Sequence, residues 1–214
     1  MSTTILLVDD HPIFRQGIAS LISMNPRYKI VGEAPSRRTA LELARSLKPH
    51  LILLDLTLGE ENGLELLKDL QIFVPESRVL ILSMHDEAVY AERALAAGAV
   101  GYVEKNQASD LVLEAMETVL SGKRWFSPQV KERLVDSLWN ADRRRTINGV
   151  AGLSDRELEV FTLMGKGMGT SRIATQLNLS VRTIETYQDH LKQKLGCAGN
   201  QELRIRAADW NAKS

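Results

Sequence analysis

Short, continuous apolar runs alternate with longer amphipathic stretches from residue 4 to about residue 121. The five runs are Ile5–Val8, Tyr28–Val31, Leu51–Leu54, Val79–Leu82 and Ala99–Val103. An unbroken apolar run indicates a strand covered on both faces, because a strand with one wet face alternates apolar and polar residues. The amphipathic stretches between the runs supply the right-handed helical crossovers that parallel strands require. The pattern predicts a doubly wound α/β domain with a five-stranded parallel sheet.

The pattern changes after Gly122. Val130, Leu134 and Leu138 recur at helical spacing, and residues 140–152 then contain three consecutive arginines and two glycines. We interpret this segment as a linker helix followed by a flexible tether. The predicted organisation is a first domain at residues 1–122, a linker at 123–152 and a second domain at 153–214.

Helix signals dominate the chain from Leu153 onward. Ser154 and Glu157 have the spacing of a capping box, and Thr170 or Ser171 can open a second helix. A third helix is predicted from a Ser180 cap to a glycine stop at residues 195–196, and a fourth covers about residues 200–210. The second domain is therefore predicted to be all-α, with four helices.

Charge follows the same division of the chain. Residues 1–122 carry 11 Lys and Arg against 17 Asp and Glu, whereas residues 123–150 carry 7 against 3 and residues 151–214 carry 9 against 7. A mildly basic back half suits a polyanionic partner without identifying one. No stretch approaches the roughly 20 apolar residues that span a bilayer, so we expect a cytoplasmic protein. Cys197 is the only cysteine, which excludes an intramolecular disulfide and a thiolate zinc cluster.

Polar residues follow four of the five apolar runs, and ligand sites in open parallel sheets lie at these carboxyl ends. They are Asp9 and Asp10 after the first run, Asp55 after the third, Ser83 after the fourth and Lys105 after the fifth. Three carboxylates at one edge repel each other unless a cation joins them, and Mg²⁺ fits. Beside such an ion a carboxylate can act as a nucleophile toward phosphorus. Taken singly, the residues could equally be helix caps, a turn residue and a surface lysine; their combination favours a phosphoryl site.

Four motifs contain these residues. They are Val8-Asp9-Asp10-His11-Pro12, Leu53-Leu54-Asp55-Leu56, Leu82-Ser83-Met84-His85 and the segment from Gly98 to Lys105. Over the first 121 residues the chain resembles the receiver domain of bacterial response regulators, which has a flavodoxin-like fold. The resemblance implies that Asp55 accepts phosphate from a sensor histidine kinase. It also implies that Asp10, Asp55 and the carbonyl of Thr57 hold Mg²⁺, with Asp9 assisting.

The same resemblance assigns roles to three residues near the acceptor. Ser83 and Lys105 are expected to bind the phosphoryl oxygens, and Tyr102 matches the aromatic switch residue that turns inward when Ser83 moves toward the phosphate. The alternative for Tyr102 is a surface aromatic on an edge strand. One loop departs from the family, because Leu58-Gly59 stands where many members have Met-Pro. A glycine there loosens the loop beside the metal.

The third helix of the second domain has an apolar face, formed by Ile184, Leu191 and Leu195, and an opposite polar face. Its polar face carries Arg182, Glu185, Thr186, Asp189 and Gln193. By itself such a face is either solvated or inserted into a DNA major groove. The surrounding pattern, from Leu153-Ser154-Asp155-Arg156-Glu157 to Lys194-Leu195-Gly196, is similar to the LuxR-type DNA-binding domain. That resemblance implies base contacts by Glu185, Thr186 and Asp189, and phosphate contacts by Arg182, Thr183, Tyr187, Lys192 and Lys194.

The two resemblances together identify the chain as a response regulator of the NarL/FixJ class, a transcription regulator and not an enzyme. Phosphorylation is expected to change interdomain packing and to favour a homodimer on promoter DNA. Lysines often stand where this chain has Glu185 and Asp189, so base preference does not carry over from relatives. Three alternatives stay open: a constitutive DNA-binding protein with a docking receiver, a phosphatase of the haloacid dehalogenase type, and an autoinducer-binding LuxR protein. The phosphatase family has an Asp two residues after its nucleophile, where this chain has Thr57.

Overall fold

A computed structural model describes residues 2–59, 61–132 and 149–212 of the chain. The chain divides into two compact units, Met1–Asp136 and Ser137–Ser214. None of the helices formed by the described residues is both long and apolar enough to cross a membrane. Leu134 and Leu138, which mark the predicted linker helix, lie outside the described residues. The predicted domain limits at residues 122 and 152 stay a prediction.

A five-stranded parallel sheet forms the centre of the first unit. The strands are β1 Thr3–Val8, β2 Tyr28–Ala34, β3 Leu51–Leu54, β4 Arg78–Ser83 and β5 Gly101–Glu104. Their spatial order is β2-β1-β3-β4-β5. Val8 lies beside Leu54, and Leu54 lies beside Ile81, so the residues that follow these strands emerge at one edge. The predicted α/β sheet is confirmed.

Helices cover both faces of this sheet, which explains the unbroken apolar runs. They are α1 Pro12–Ser23, α2 Arg37–Leu47, α3 Gly63–Phe73, α4 Glu87–Ala96 and α5 Ala108–Leu120. Side chains of α1 and α5 pack on one face, where Ile22 and Met116 are buried with Leu7 of β1. On the other face α2 contacts α3, and α3 contacts α4. Alternate residues of each strand therefore enter two different apolar layers.

The chain does not leave the sheet where α5 ends. Trp125 forms a parallel bridge with Gly101 of β5. The backbone N–H of Tyr102 donates to the Trp125 carbonyl at 2.8 Å, and the Trp125 N–H donates to the Val100 carbonyl at 3.0 Å. Phe126 and Val130 are buried. Residues 125–130 thus cover the edge of β5, and a helical segment occupies residues 128–132.

The second unit is helical in all its long elements, as predicted. Its helices are α6 Asp155–Gly165, α7 Thr170–Gln176, α8 Val181–Leu195 and α9 Asn200–Asn211. Ser154 and Glu157 form the predicted capping box, and Ser180 accepts a hydrogen bond from the Thr183 N–H at 3.0 Å. Gly196 ends α8 with φ of 66°, a left-handed conformation that glycine adopts without strain.

Packing in the second unit fixes how α8 is presented. α6 contacts both α9 and α8, and the Phe161 and Trp210 rings lie 5.8 Å apart. Ile184 and Leu191 are fully buried, and Leu195 is nearly so. These are the three residues whose spacing predicted the apolar face of α8. The residues on its other side are therefore left on the surface of the unit.

Candidate functional site

The carboxyl edge of the sheet brings together Asp9, Asp55 and Lys105. Lys105 Nζ lies 2.7 Å from Asp9 Oδ2 and 2.6 Å from Asp55 Oδ2. The lysine side chain is only 3% exposed and the Asp55 side chain 2% exposed. Lys105 is therefore not the surface lysine that the sequence left open. The two carboxylates hold the buried ammonium, and the trio keeps one net negative charge.

Electrostatics keep Asp55 reactive. The pKa of Asp55 is raised to about 6, chiefly by burial and also by the neighbouring Asp9 carboxylate, against the lowering effect of the Lys105 charge. The Thr57 N–H donates to Asp55 Oδ1 at 3.2 Å, which also favours the ionised form. At neutral pH the carboxylate is therefore mostly ionised, as a nucleophile must be.

Four side chains around Asp55 have the composition of a cation site. One ligand atom from each of Asp9, Asp10, His11 and Asp55 lies within 4.8 Å of the others. Asp10 Oδ1 is buried and accepts no hydrogen bond from any described residue, although His11 Nδ1 is 2.8 Å away. An unsatisfied buried carboxylate oxygen is costly, and a hard divalent ion satisfies it. The residues present thus fit Mg²⁺.

The helix that follows β1 does not use these acids as caps. His11 occupies the N-cap of α1 without a side-chain cap hydrogen bond, and Pro12 opens the helix. Asp9 Oδ1 accepts from the His11 N–H at 2.7 Å, and its carbonyl accepts from Arg15 at 2.7 Å. Asp9 is therefore held by His11 and Arg15, and its second carboxylate oxygen, Oδ2, contacts Lys105. His11 was not among the predicted site residues, although its place directly after the acid pair was a usable signal.

The loop that departs from the family is tied to the acid pair. Gly59 has φ of 59°, and its N–H donates to Asp10 Oδ2 at 2.8 Å. Thr57 Oγ1 lies 3.0 Å from His85 Nε2, so the loop after Asp55 is linked to the residue that follows β4 by two positions. These two contacts hold the loop that contains Gly59 in a defined position. They restrict the loop mobility that the glycine was expected to allow.

Ser83 and Tyr102 belong to one buried network with His85. Both Ser83 and Tyr102 are almost inaccessible, so Tyr102 is not an exposed edge aromatic. The His85 N–H donates to Ser83 Oγ at 3.2 Å, and the Tyr102 hydroxyl donates to the His85 carbonyl at 2.9 Å. Burial raises the pKa of Tyr102 well above its ordinary value, while a hydrogen bond with Ser83 lowers it. The sequence missed His85 as a connecting residue, because its contacts depend on the fold.

The edge segment after α5 is attached to the same network. Tyr102 holds Trp125 through its backbone, as described above, and the Ser127 N–H donates to Glu87 Oε1 at 2.8 Å. Glu87 in turn is held through its N–H, which donates to Glu104 Oε1 at 3.0 Å. Burial raises the pKa of Glu87, and the Ser127 hydrogen bonds lower it. A shift of β5 or of the start of α4 therefore acts directly on residues 125–127.

The exposed side of α8 carries the predicted DNA contacts. Arg182, Glu185, Thr186 and Asp189 are exposed, whereas Thr183, Tyr187 and Lys192 are partly buried. Residues 177–180 join α7 to α8 in a short turn, with Asn178 at φ of 53°. Gln188, on the inner side of α8, donates to Thr170 Oγ1 of α7 at 3.2 Å. A short turn between two packed helices, with the second one exposed, is a helix-turn-helix arrangement.

Two lysines of α8 are engaged with acids in this structure. Lys192 Nζ lies 2.8 Å from Asp189 Oδ1 on the exposed side. Lys194 Nζ lies 2.7 Å from Oε2 of Glu157, whose side chain is only 5% exposed. Burial raises the pKa of Glu157, but hydrogen bonds from Lys194 and Ser154 outweigh it and hold this pKa below its ordinary value. Lys194 therefore has an ion-pair partner in α6. A contact between Lys194 and a DNA phosphate would have to compete with this ion pair.

Comparison with known families matches both units. Residues 5–117 match the model of the response regulator receiver domain, and residues 151–207 match that of bacterial regulatory proteins of the luxR family. The nitrate/nitrite response regulator NarL of Escherichia coli strain K12 is 35% identical over 207 residues, covering 97% of this chain and 94% of that protein.

Two solved structures are similar as well. A LuxR-family two-component response regulator from Aurantimonas sp. SI85-9A1 matches 64% of this chain and 98% of its own, with a TM-score of 0.59 and 35% identity. RcsB of Salmonella enterica serovar Typhimurium covers 97% of this chain and 99% of its own, with a TM-score of 0.60, and its 23% identity shows the fold alone. The chain therefore belongs to the response regulators of the NarL/FixJ class, transcription regulators that join a receiver domain to a LuxR-type DNA-binding domain.

Proposed function

We propose that Asp55 accepts a phosphoryl group from a sensor histidine kinase, with Mg²⁺ held by Asp9, Asp10, Asp55 and the carbonyl of Thr57. The observation that carries this proposal is the buried cluster in which Lys105 Nζ lies within 2.7 Å of both Asp9 and Asp55. The ion supplies charge neutralisation between the acids and the incoming phosphoryl group. Asp55 is the most buried of the three acids, and it receives both the lysine and the Thr57 N–H.

The chain's own residues have distinct tasks in the transfer. A carboxylate oxygen of Asp55 attacks phosphorus while the bond from phosphorus to the donor nitrogen or oxygen breaks, so the donor leaves with its electron pair. Lys105 then exchanges its contact with Asp55 for one with a phosphoryl oxygen, because the phosphoryl group joined to Asp55 carries the negative charge that the carboxylate carried before. Ser83, two residues from its partner His85, supplies a hydroxyl to another phosphoryl oxygen.

Phosphorylation in vitro tests this assignment. We expect acetyl phosphate with Mg²⁺ to add one phosphoryl group to the wild-type chain, detected by intact mass spectrometry. Asp55→Asn should abolish incorporation, and chelation by EDTA should suppress it. Asp110→Asn, an exposed acid at the start of α5, is the matched control and should be modified like the wild type. Incorporation that persists in Asp55→Asn, or that ignores chelation, contradicts the proposal.

The switching route follows from the network around Tyr102. When Ser83 turns toward the phosphoryl group, its hydrogen bonds with Tyr102 and His85 must change. Tyr102 and Glu87 hold the edge segment at Trp125 and Ser127, so the change reaches the start of the linker. Adding about two negative charges at a site of this kind is sufficient to reorganise a nearby hydroxyl and lysine. We propose that the linker and the dimerisation state respond in this way.

Beryllofluoride, a phosphoryl mimic, tests the switch without turnover. We expect faster amide exchange at residues 125–127 and a larger sedimentation coefficient when it is added with Mg²⁺. DNA affinity should rise in parallel. If exchange, sedimentation and DNA affinity are all unchanged although beryllofluoride binds, the constitutive alternative is correct and this route is wrong.

We also propose that α8 enters the major groove of promoter DNA, which places the protein in the bacterial cytoplasm with its target. Arg182, Thr183, Tyr187 and Lys192 are proposed phosphate contacts, with Lys194 competing between DNA and Glu157. Glu185, Thr186 and Asp189 are proposed to face base edges. The exposed position of these last three residues on a helix anchored by Gln188 supports the proposal.

Two classes of variant distinguish these roles. Arg182→Ala should weaken binding to every DNA sequence alike and reduce the slope of log affinity against log salt by about one unit. Thr186→Ala should instead cost about 1–3 kcal/mol on the preferred site only. Binding selection with both variants measures the difference. An identical, sequence-independent loss in the two would contradict the assignment of the groove-facing side.

A further inference from the structure

Thr186, Asp189 and Glu185 have side-chain oxygens on the exposed side of α8 that is proposed to face the base edges. These three side chains differ in their hydrogen-bond and ion-pair partners within the protein. The Thr186 hydroxyl donates to the Arg182 carbonyl at 3.0 Å. The Asp189 carboxylate is paired with Lys192 Nζ at 2.8 Å. Among the residues that the structure describes, neither a hydrogen bond nor an ion pair engages the exposed carboxylate of Glu185.

A free carboxylate in the major groove has few acceptable partners, because it accepts hydrogen bonds and donates none. Guanine presents two acceptors, N7 and O6, and thymine presents O4 and a methyl group. Adenine offers an amino donor, but acceptor N7 stands beside it. Cytosine offers its N4 amino group with an acceptor on one side only, the O6 of its paired guanine, whereas the adenine amino group lies between N7 and the O4 of thymine. The chemistry of the groove therefore favours cytosine opposite an unpaired glutamate.

The surroundings of Glu185 sharpen that preference. Asp189 lies one helical turn away on the same side, so an acceptor-rich base edge meets two negative groups. Lys192, whose side chain is 27% exposed, lies 2.8 Å from Asp189 and offsets its negative charge. Of the two acids, Glu185 is therefore the one whose charge has no partner among the described residues. Such an arrangement also weakens binding to the phosphate backbone in general, since the acid repels it. Discrimination between base pairs therefore increases, while the affinity that does not depend on DNA sequence decreases.

We propose that Glu185 is a specificity-determining residue that selects cytosine at one base pair of each half-site by accepting a hydrogen bond from its N4 amino group. The proposal rests on the proposed insertion of α8 into the major groove. It concerns one base pair and one side chain, and the rest of the site is read by other residues.

Binding selection from a random duplex library tests it, with the full-length chain in beryllofluoride and Mg²⁺. We expect the wild-type motif to contain a cytosine that changes to adenine in Glu185→Gln, because glutamine pairs with adenine N6 and N7. In competition binding, replacing that cytosine by thymine should cost the wild type about five- to 140-fold in affinity. Gln193→Ala, an exposed change two turns further along α8, is the matched control and should leave this base unchanged.

The outcomes separate the inference from the function on which it rests. A wild-type motif that Glu185→Gln leaves identical at every position overturns the role of Glu185, while DNA binding by α8 stands. A wild type that enriches no sequence at all overturns both. Because Glu185 is exposed, its replacement by glutamine should leave the thermal unfolding of the second unit unchanged, and that measurement confirms that each variant is folded.

Discussion

Gly63, the first residue of α3, leaves no space for a side chain beneath the phosphoacceptor strand. A Cβ there would lie 2.4 Å from the Asp55 carbonyl oxygen and 2.5 Å from Leu56 Cα. Both obstacles are backbone atoms, so Gly63→Ala must displace the chain that carries Asp55. Overpacking of this kind costs about 1–3 kcal/mol. The gain in helix propensity, at most about 1 kcal/mol, does not offset it, particularly at the first position of a helix.

We therefore expect Gly63→Ala to destabilise the first unit by roughly 1–2 kcal/mol and to slow the modification of Asp55 by acetyl phosphate. Hydrogen exchange at the amides of β3 measures the free energy of opening in that unit alone, and intact mass spectrometry measures the modification rate. Gly17→Ala is the control. A Cβ at Gly17, inside α1, meets no atom within 4 Å, so this change should stabilise by about 0.5–1 kcal/mol. Equal effects of the two substitutions would refute the steric reasoning.

Three further outcomes are expected. Lys194→Gln should lower the stability of the second unit at neutral pH, measured by amide exchange in α6. The pKa of Glu157 is held below 4.5, so the stabilisation by the ionised Glu157 carboxylate is present above that pH and is lost as the pH falls through the lowered pKa. The difference in stability between Lys194→Gln and the wild type should therefore vanish in acid. Gly165→Ala, whose Cβ would lie 2.4 Å from the Ala207 carbonyl oxygen, should destabilise the same unit while Asp55 is still phosphorylated at the wild-type rate. Glu87→Ala should speed amide exchange at Ser127, and an unchanged rate there would show that the hydrogen bond of 2.8 Å does not hold the edge segment.

Local patterns predicted most of the fold because they depend on neighbouring residues only. The five apolar runs are the five strands, and Ser154 and Ser180 cap the helices that their spacing predicted. Boundaries were less accurate. Strand β2 extends three residues past the predicted Val31, to Ala34, because its pairing with β1 continues to that point. Pairing along a sheet is decided by the partner strand, which no local pattern contains.

The sequence by itself determined the chemistry of this protein: acids, a hydroxyl and a lysine at strand ends, and a helix with one apolar and one polar side. Only the tertiary structure decided which side chains are in contact with each other. His85 reaches Thr57 across 28 residues of sequence, Lys105 reaches Asp55 across 50, and Lys194 is drawn to Glu157 across 37. Such contacts depend on strand order and helix packing, where a shift of one residue sends a side chain to the other face. Burial then sets the strength of each charge, because the same carboxylate is solvated on a surface and needs a partner inside.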